Sequence, residues 1–154
     1  MTGSKRLDTI LAKARAASDS DTDEWPFQAA AAGEALDEVL ADPANLVRTS
    51  RQVVKIAHEL GCDRVMGASP LGQRLAGAAV ALGRNGLKDQ SAGVRGKSVL
   101  VVDGILVSGV SIASASRRAL EAGARRISAL VVASTHAPSE QLCRLADPIV
   151  ILEG

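Results

Sequence analysis

Asp103 closes the apolar run Val99-Leu100-Val101-Val102, and five residues later comes Ser108-Gly109-Val110-Ser111, leading into a second apolar pattern at helical spacing. An ionised carboxylate is an acceptor suited to vicinal sugar hydroxyls. A glycine between hydroxyl residues at a helix start offers amide and O–H donors to an anion, and the helix dipole favours negative charge at that point. Gly109 permits close backbone approach, and Ser111 reads as the N-cap. Carboxylate and cradle together suit a ribose phosphate better than a bare anion.

A second stretch, Gly67-Ala68-Ser69-Pro70-Leu71-Gly72-Gln73-Arg74, has related chemistry. Amides from Ala68 to Gly72 and the Arg74 guanidinium suit diphosphate oxygens. A tight strand-to-helix turn that binds nothing explains the same residues, and both readings stand. Other patterns lead nowhere. Ser69 and Ser108 lack the Gly-x-Ser-x-Gly elbow of a hydrolase, and Gly67 to Gly72 lacks the Lys-Ser/Thr pair of a nucleotide-triphosphate loop. Cys62 and Cys143 have no metal-ligand spacing, so no protein-held metal site is predicted and both read as free thiols. His58 and His136 read as surface residues, His136 standing near enough to a strand end to meet a ligand.

These residues need a scaffold, and the pattern supplies one. Helices are expected from Leu7 to Ala14, Gln28 to Leu40, Ser50 to Leu60, Gln73 to Leu82, Ile112 to Ala122 and Ser139 to Leu145. Strands are expected at Asp63–Met66, Ser98–Val102, Arg126–Ser134 and Pro148–Leu152, and the segment Ser18 to Glu24 as a loop. Apolar runs such as 98–102 mark strands buried on both faces. The alternation predicts an α/β fold with a mostly parallel central sheet flanked by helices. A small helical segment, 1–49, precedes the α/β core at 50–154 in one compact domain.

The run from Val99 to Ile112 resembles the signature of type I phosphoribosyltransferases, and the Val65–Ala76 stretch is similar to the pyrophosphate loop of orotate phosphoribosyltransferases. The resemblance extends over about Ser50 to Leu152. It implies a phosphoribosyltransferase-like fold in which Asp103 is catalytic and holds the ribose. Gly104 and Val107 to Ser111 (Val107, Ser108, Gly109, Val110, Ser111) would complete a ribose 5-phosphate site. Ala68, Ser69, Pro70, Leu71, Gly72 and Arg74 would face the pyrophosphate. The family has two adjacent acidic residues; here Gly104 stands in place of the second. The family also places a long closing loop between positions equivalent to Gly83 and Gly96. This chain has a short one, in which Lys88 and Arg95 are either lid cations or solvated loop charges.

The same resemblance implies a sugar phosphate or nucleotide as ligand, magnesium carried with a diphosphate, and dimers as a common state. The N-terminal segment would be a hood, with Trp25 and Phe27 as stacking groups or as core anchors. Two functions follow. One is an enzyme transferring phosphoribose from phosphoribosyl pyrophosphate to a nitrogen base. The other is a non-catalytic sensor or partner-binding protein with a reduced site.

Composition narrows the classes. Aromatics are 1% of the 154 residues and net charge is +1, so neither stacking platforms nor a basic surface for nucleic acid are provided. No apolar run reaches the ~20 residues of a membrane span, and the charged N-terminus does not read as a signal peptide. The expectation is a cytoplasmic protein.

Overall fold

The computed structural model describes residues 5–20, 25–83 and 86–153. Three helices come first: α1 (Lys5–Ser20), α2 (Trp25–Ala41) and α3 (Pro43–Glu59). Then strands and helices alternate: β1 (Arg64–Gly67), α4 (Pro70–Leu82), β2 (Lys88–Asp89), a 3-10 turn (Gln90–Ala92), β3 (Ser98–Leu106), α5 (Val110–Glu121), β4 (Arg126–Ser134), α6 (Glu140–Leu145) and β5 (Ile149–Glu153). Among the described residues no helix is long and apolar enough to cross a membrane.

The five strands form one sheet in the order β2-β1-β3-β4-β5, and every pairing is parallel. Parallel neighbours need crossovers, and the helices supply them. From β1 the chain moves outward through α4 to β2, then returns past β1 to β3. The order therefore reverses between β1 and β3. At such a reversal the loops after the two strands turn to opposite faces and leave a crevice at their carboxyl ends.

The two faces are covered by different helices. Leu100, Val102, Leu130 and Val132 share a cluster with Leu7 and Leu11 of α1, Leu36 and Leu40 of α2, Val53 of α3 and Leu75 of α4. Val99, Val101, Ile127, Ala129 and Val131 pack with Ile112, Ala115 and Ala119 of α5 and Leu142 of α6. Each fully buried leucine contributes about 2 kcal/mol by transfer from water. Because α1 and α2 share the sheet's own cluster, the helical segment is part of the domain core.

Several boundaries differ from the sequence expectation. The helix expected at Ser50 begins at Pro43, capped by Asp42, whose side chain accepts from the Ala44 N–H at 3.0 Å. Proline is excluded from a helix interior but suits its first position, where no backbone donor is needed. The division at 49/50 thus cuts through α3. Residues 18–20 of the expected acidic loop are helical, and 21–24 lie outside the described residues. The short strand β2 was not anticipated; two residues carry too little periodicity to show it. At the centre, β3 runs four residues beyond Val102, to Leu106.

Candidate functional site

The reversal point brings the two singled-out stretches together. β1 and β3 are paired to the register Gly67↔Val102, so the turn after β1 stands beside Asp103. Ser69 donates to Asp103 Oδ1 at 2.5 Å, and the Gly104 N–H donates to the same oxygen at 2.7 Å. Asp103 is only 7% exposed. Burial pushes its carboxyl above the ordinary 3.8, and the Ser69 and Gly104 hydrogen bonds pull partly the other way. Ser69 and Asp103, 34 residues apart in sequence, thus act as one polar unit.

Beyond Asp103 the strand continues through Gly104, Ile105 and Leu106, where the sequence suggested loop. Side-chain alternation changes phase on the way. Val99 and Val101 belong to the α5 side, yet Ile105 packs with the α1–α4 cluster and Leu106 with the α5 cluster. Gly104 sits at this change, and it is buried. A Cβ built there would lie 2.4 Å from Leu71 Cδ2 and 3.2 Å from Leu36 Cδ2. The space beside position 104 is therefore filled by apolar side chains from α4 and α2.

The helix after β3 starts earlier than expected. Gly109, not Ser111, is the N-cap of α5, with φ +78° and no side-chain cap. Only glycine takes that left-handed conformation at little cost. Ser111 lies inside the first turn and is exposed, as is Ser108. The Ala113 N–H donates to the Gly109 carbonyl at 2.9 Å and the Val110 N–H reaches Ser108 Oγ at 3.4 Å. Among the described residues the Ser111 and Ile112 N–H groups meet no acceptor, as expected of a first turn without a side-chain cap. A cavity of about 270 Å³ runs from Asp103 and Ser69 past Val107 to Ser108, Gly109, Val110 and Ser111. The carboxylate and the helix start share one space.

The turn after β1 is built for close packing. Ser69 caps α4, its hydroxyl accepting from the Gly72 N–H at 3.0 Å, and Pro70 occupies the first helical position. A Cβ at Gly72 would lie 2.2 Å from the Val102 carbonyl oxygen, and one at Gly67 would lie 2.2 Å from the Gln73 nitrogen. Both glycines are explained by backbone contact. The Ala68 N–H already donates to the Val102 carbonyl at 2.8 Å. Arg74 turns away and donates to the Leu40 carbonyl at 3.3 Å. Of the donors assigned to a pyrophosphate, the Ala68 and Gly72 amides and one N–H of Arg74 are engaged within the protein.

The residues assigned to a lid are elsewhere. Lys88 pairs in register with Arg64, the first residue of β1, and Arg95 packs its Cγ beside Gly123 at the end of α5. Both lie toward the amino edge of the sheet, away from Asp103. Arg84 and Asn85 of that connection lie outside the described residues, as do the side chains of Trp25 and Phe27.

Two features escaped the sequence. Gly33 of α2 lines the cavity beside Asp103, and Gly33 and Asp37 line a second cavity of about 260 Å³ on the Leu71–Gly104 side. Nothing in an alanine-rich helix signals this, because contact with the sheet edge is a tertiary matter. A further hollow of about 250 Å³ lies over the ends of β4 and β5, among Arg15, Thr135, His136 and Glu153. There the Arg15 Nε donates to the Ser134 carbonyl at 2.9 Å, so α1 reaches the sheet's carboxyl edge. His136 Nδ1 lies 3.0 Å from Thr135 Oγ1. Among the described residues no group of three or more His, Cys, Asp or Glu is gathered for a metal ion.

No family model matches the chain, and no curated protein matches it.

Proposed function

We propose that this protein is a phosphoribosyltransferase-like binder of ribose 5-phosphate ligands, acting as a sensor or regulatory protein. The observation that carries the reading is a single cavity holding both the buried carboxylate of Asp103 and the Gly109-opened start of α5, at the point where strand order reverses. The 5-phosphate would take the first-turn amides with the Ser108 and Ser111 hydroxyls. Asp103 would accept from a ribose hydroxyl. Its desolvation costs free energy in the unliganded protein, and hydroxyl donors would relieve that cost.

Transfer is the second reading, and Asp103 favours it as a buried carboxylate placed beside the sugar. It asks more of the chain. A side chain at Gly104 must displace the ends of Leu71 and Leu36, two loop amides and one Arg74 N–H are engaged, and Lys88 and Arg95 are remote. Magnesium enters only here, carried by diphosphate oxygens with Asp103 as the buried carboxylate nearby. A site covered only by a short loop would also expose a reacting sugar to water.

Titration calorimetry with ribose 5-phosphate, a nucleoside monophosphate and phosphoribosyl pyrophosphate, each with and without magnesium, tests the two. Monophosphate binding that needs no magnesium supports the binder. Tight binding restricted to the diphosphate with magnesium supports transfer. Silence from all three ligands removes both readings. Gly109→Val should abolish binding, since its Cβ would lie 3.0 Å from Leu142 Cδ2 at a φ that valine avoids.

A further inference from the structure

The cavity beside position 104 is lined by a second, exposed acid. Leu36, whose side chain closes position 104, is followed on α2 by Asp37, and Asp37 lines the 260 Å³ cavity together with Asp103 and Leu71. One turn earlier, Gly33 lines both this cavity and the phosphate cavity, so the two adjoin along Gly33, Ser69 and Asp103.

Packing requires neither Gly33 nor Gly77 of α4, and what sets Gly33 apart is its place on the wall of both cavities. It lies inside α2, where glycine weakens a helix relative to alanine. Yet a Cβ built there meets nothing within 4 Å. Gly67, Gly72 and Gly104 all touch protein atoms at under 3 Å by the same test. What Gly33 leaves is clearance above Asp103. The Asp103 side chain, in turn, spends both of its hydrogen bonds on Oδ1, and among the described residues Oδ2 accepts none. Neither cavity is lined by Lys or Arg, so the sugar half suits hydroxyl donors and is poor for a diphosphate.

We propose that α2 completes the sugar subsite: Asp37 accepts from the ribose 2-hydroxyl while Asp103 accepts from the 3-hydroxyl, and Gly33 leaves room for the ring. This rests on the ribose 5-phosphate reading above and narrows it to pentose phosphates that keep the vicinal diol. The acid absent from the strand is replaced by one from the N-terminal helices, which makes that segment part of the ligand site.

Affinities of ribose 5-phosphate and 2-deoxyribose 5-phosphate for the full chain test the proposal, with Asp37→Ala and Gly33→Leu as variants and melting temperature as a fold check. The wild type should prefer ribose by about tenfold, the order of one hydrogen bond to a charged group. Asp37→Ala should reduce that preference to about twofold and leave the deoxy sugar's affinity unchanged. Gly33→Leu should melt no lower than wild type while weakening both sugars about tenfold or more, inorganic phosphate still binding. If Asp37→Ala keeps the full preference while Gly109→Val abolishes binding, the α2 wall is wrong and the ribose-phosphate reading stands. Wild-type affinity in Gly33→Leu overturns the clearance. Failure of the wild type to bind either sugar phosphate removes the proposal together with the reading beneath it.

Discussion

Gly104→Ala asks whether position 104 is an empty acid site or a packed one. The added methyl carbon would be 2.4 Å from Leu71 Cδ2 and 3.2 Å from Leu36 Cδ2. The first distance is far inside contact, so Leu71 must change rotamer or α4 must shift. Overpacking of this kind costs about 1–3 kcal/mol. Against it, alanine restricts the unfolded chain and recovers about 0.4–1 kcal/mol. The net expectation is a loss of about 0–2.6 kcal/mol, centred near 1 kcal/mol, which for a chain of this size lowers the melting temperature by about 2–4 °C. Urea denaturation followed by circular dichroism gives the free energy, and Leu71→Ala supplies the second arm of a double-mutant cycle. With Leu71 truncated the clash disappears, so the double variant should be more stable than the sum of the two losses by about 1 kcal/mol. Gly104→Asp should cost more than alanine because it adds a carboxylate to an apolar contact. A Gly104→Ala variant more stable than wild type would refute the packed-site account. So would simple additivity with Leu71→Ala.

Other expectations follow from the same geometry. Asp103→Asn should stabilise the protein at pH 7: a carboxyl raised by burial favours the folded state while protonated, and that benefit is lost as pH rises from about 3.8 through the folded value. Melting curves from pH 3 to 7 should show the gap between variant and wild type widening upward, and a gap independent of pH would contradict the assignment. Gly72→Ala places its Cβ 2.2 Å from a backbone carbonyl that no rotamer change can move. It should cost at least about 3 kcal/mol, the upper range of overpacking, and a soluble variant with a wild-type denaturation midpoint would show the contact to be misplaced. Cys143 is exposed, whereas Cys62 is buried with its thiol pushed up by desolvation. A thiol reagent should therefore titrate one cysteine rapidly in the native protein and both in denaturant; two fast thiols would mean that the α3–β1 corner is open.

The sequence alone determined the fold class and the strand-turn-helix that opens at Gly109, because both are written in local signals. Buried parallel strands appear as unbroken apolar runs, as at Val99–Val102 and Ile127–Val132, and helices appear as periodic spacing. Gly109 with its flanking serines marks a helix start whichever residue proves to be the cap. Tertiary structure decided the rest. The Ser69–Asp103 hydrogen bond joins residues 34 positions apart and exists only because β1 and β3 pair in that register. Gly104 looked like a lost carboxylate, and contact with Leu71 and Leu36 shows a packed position. Arg74 donates one N–H to the carbonyl at the end of α2, a contact between elements that no local pattern shows. Gly33 and Asp37 carried no signal, since in a lone helix they are a weak point and an exposed charge; packing α2 against the sheet edge is what puts them over Asp103. Local propensity acts within a few residues, while a ligand site is set by which distant elements the core brings into contact.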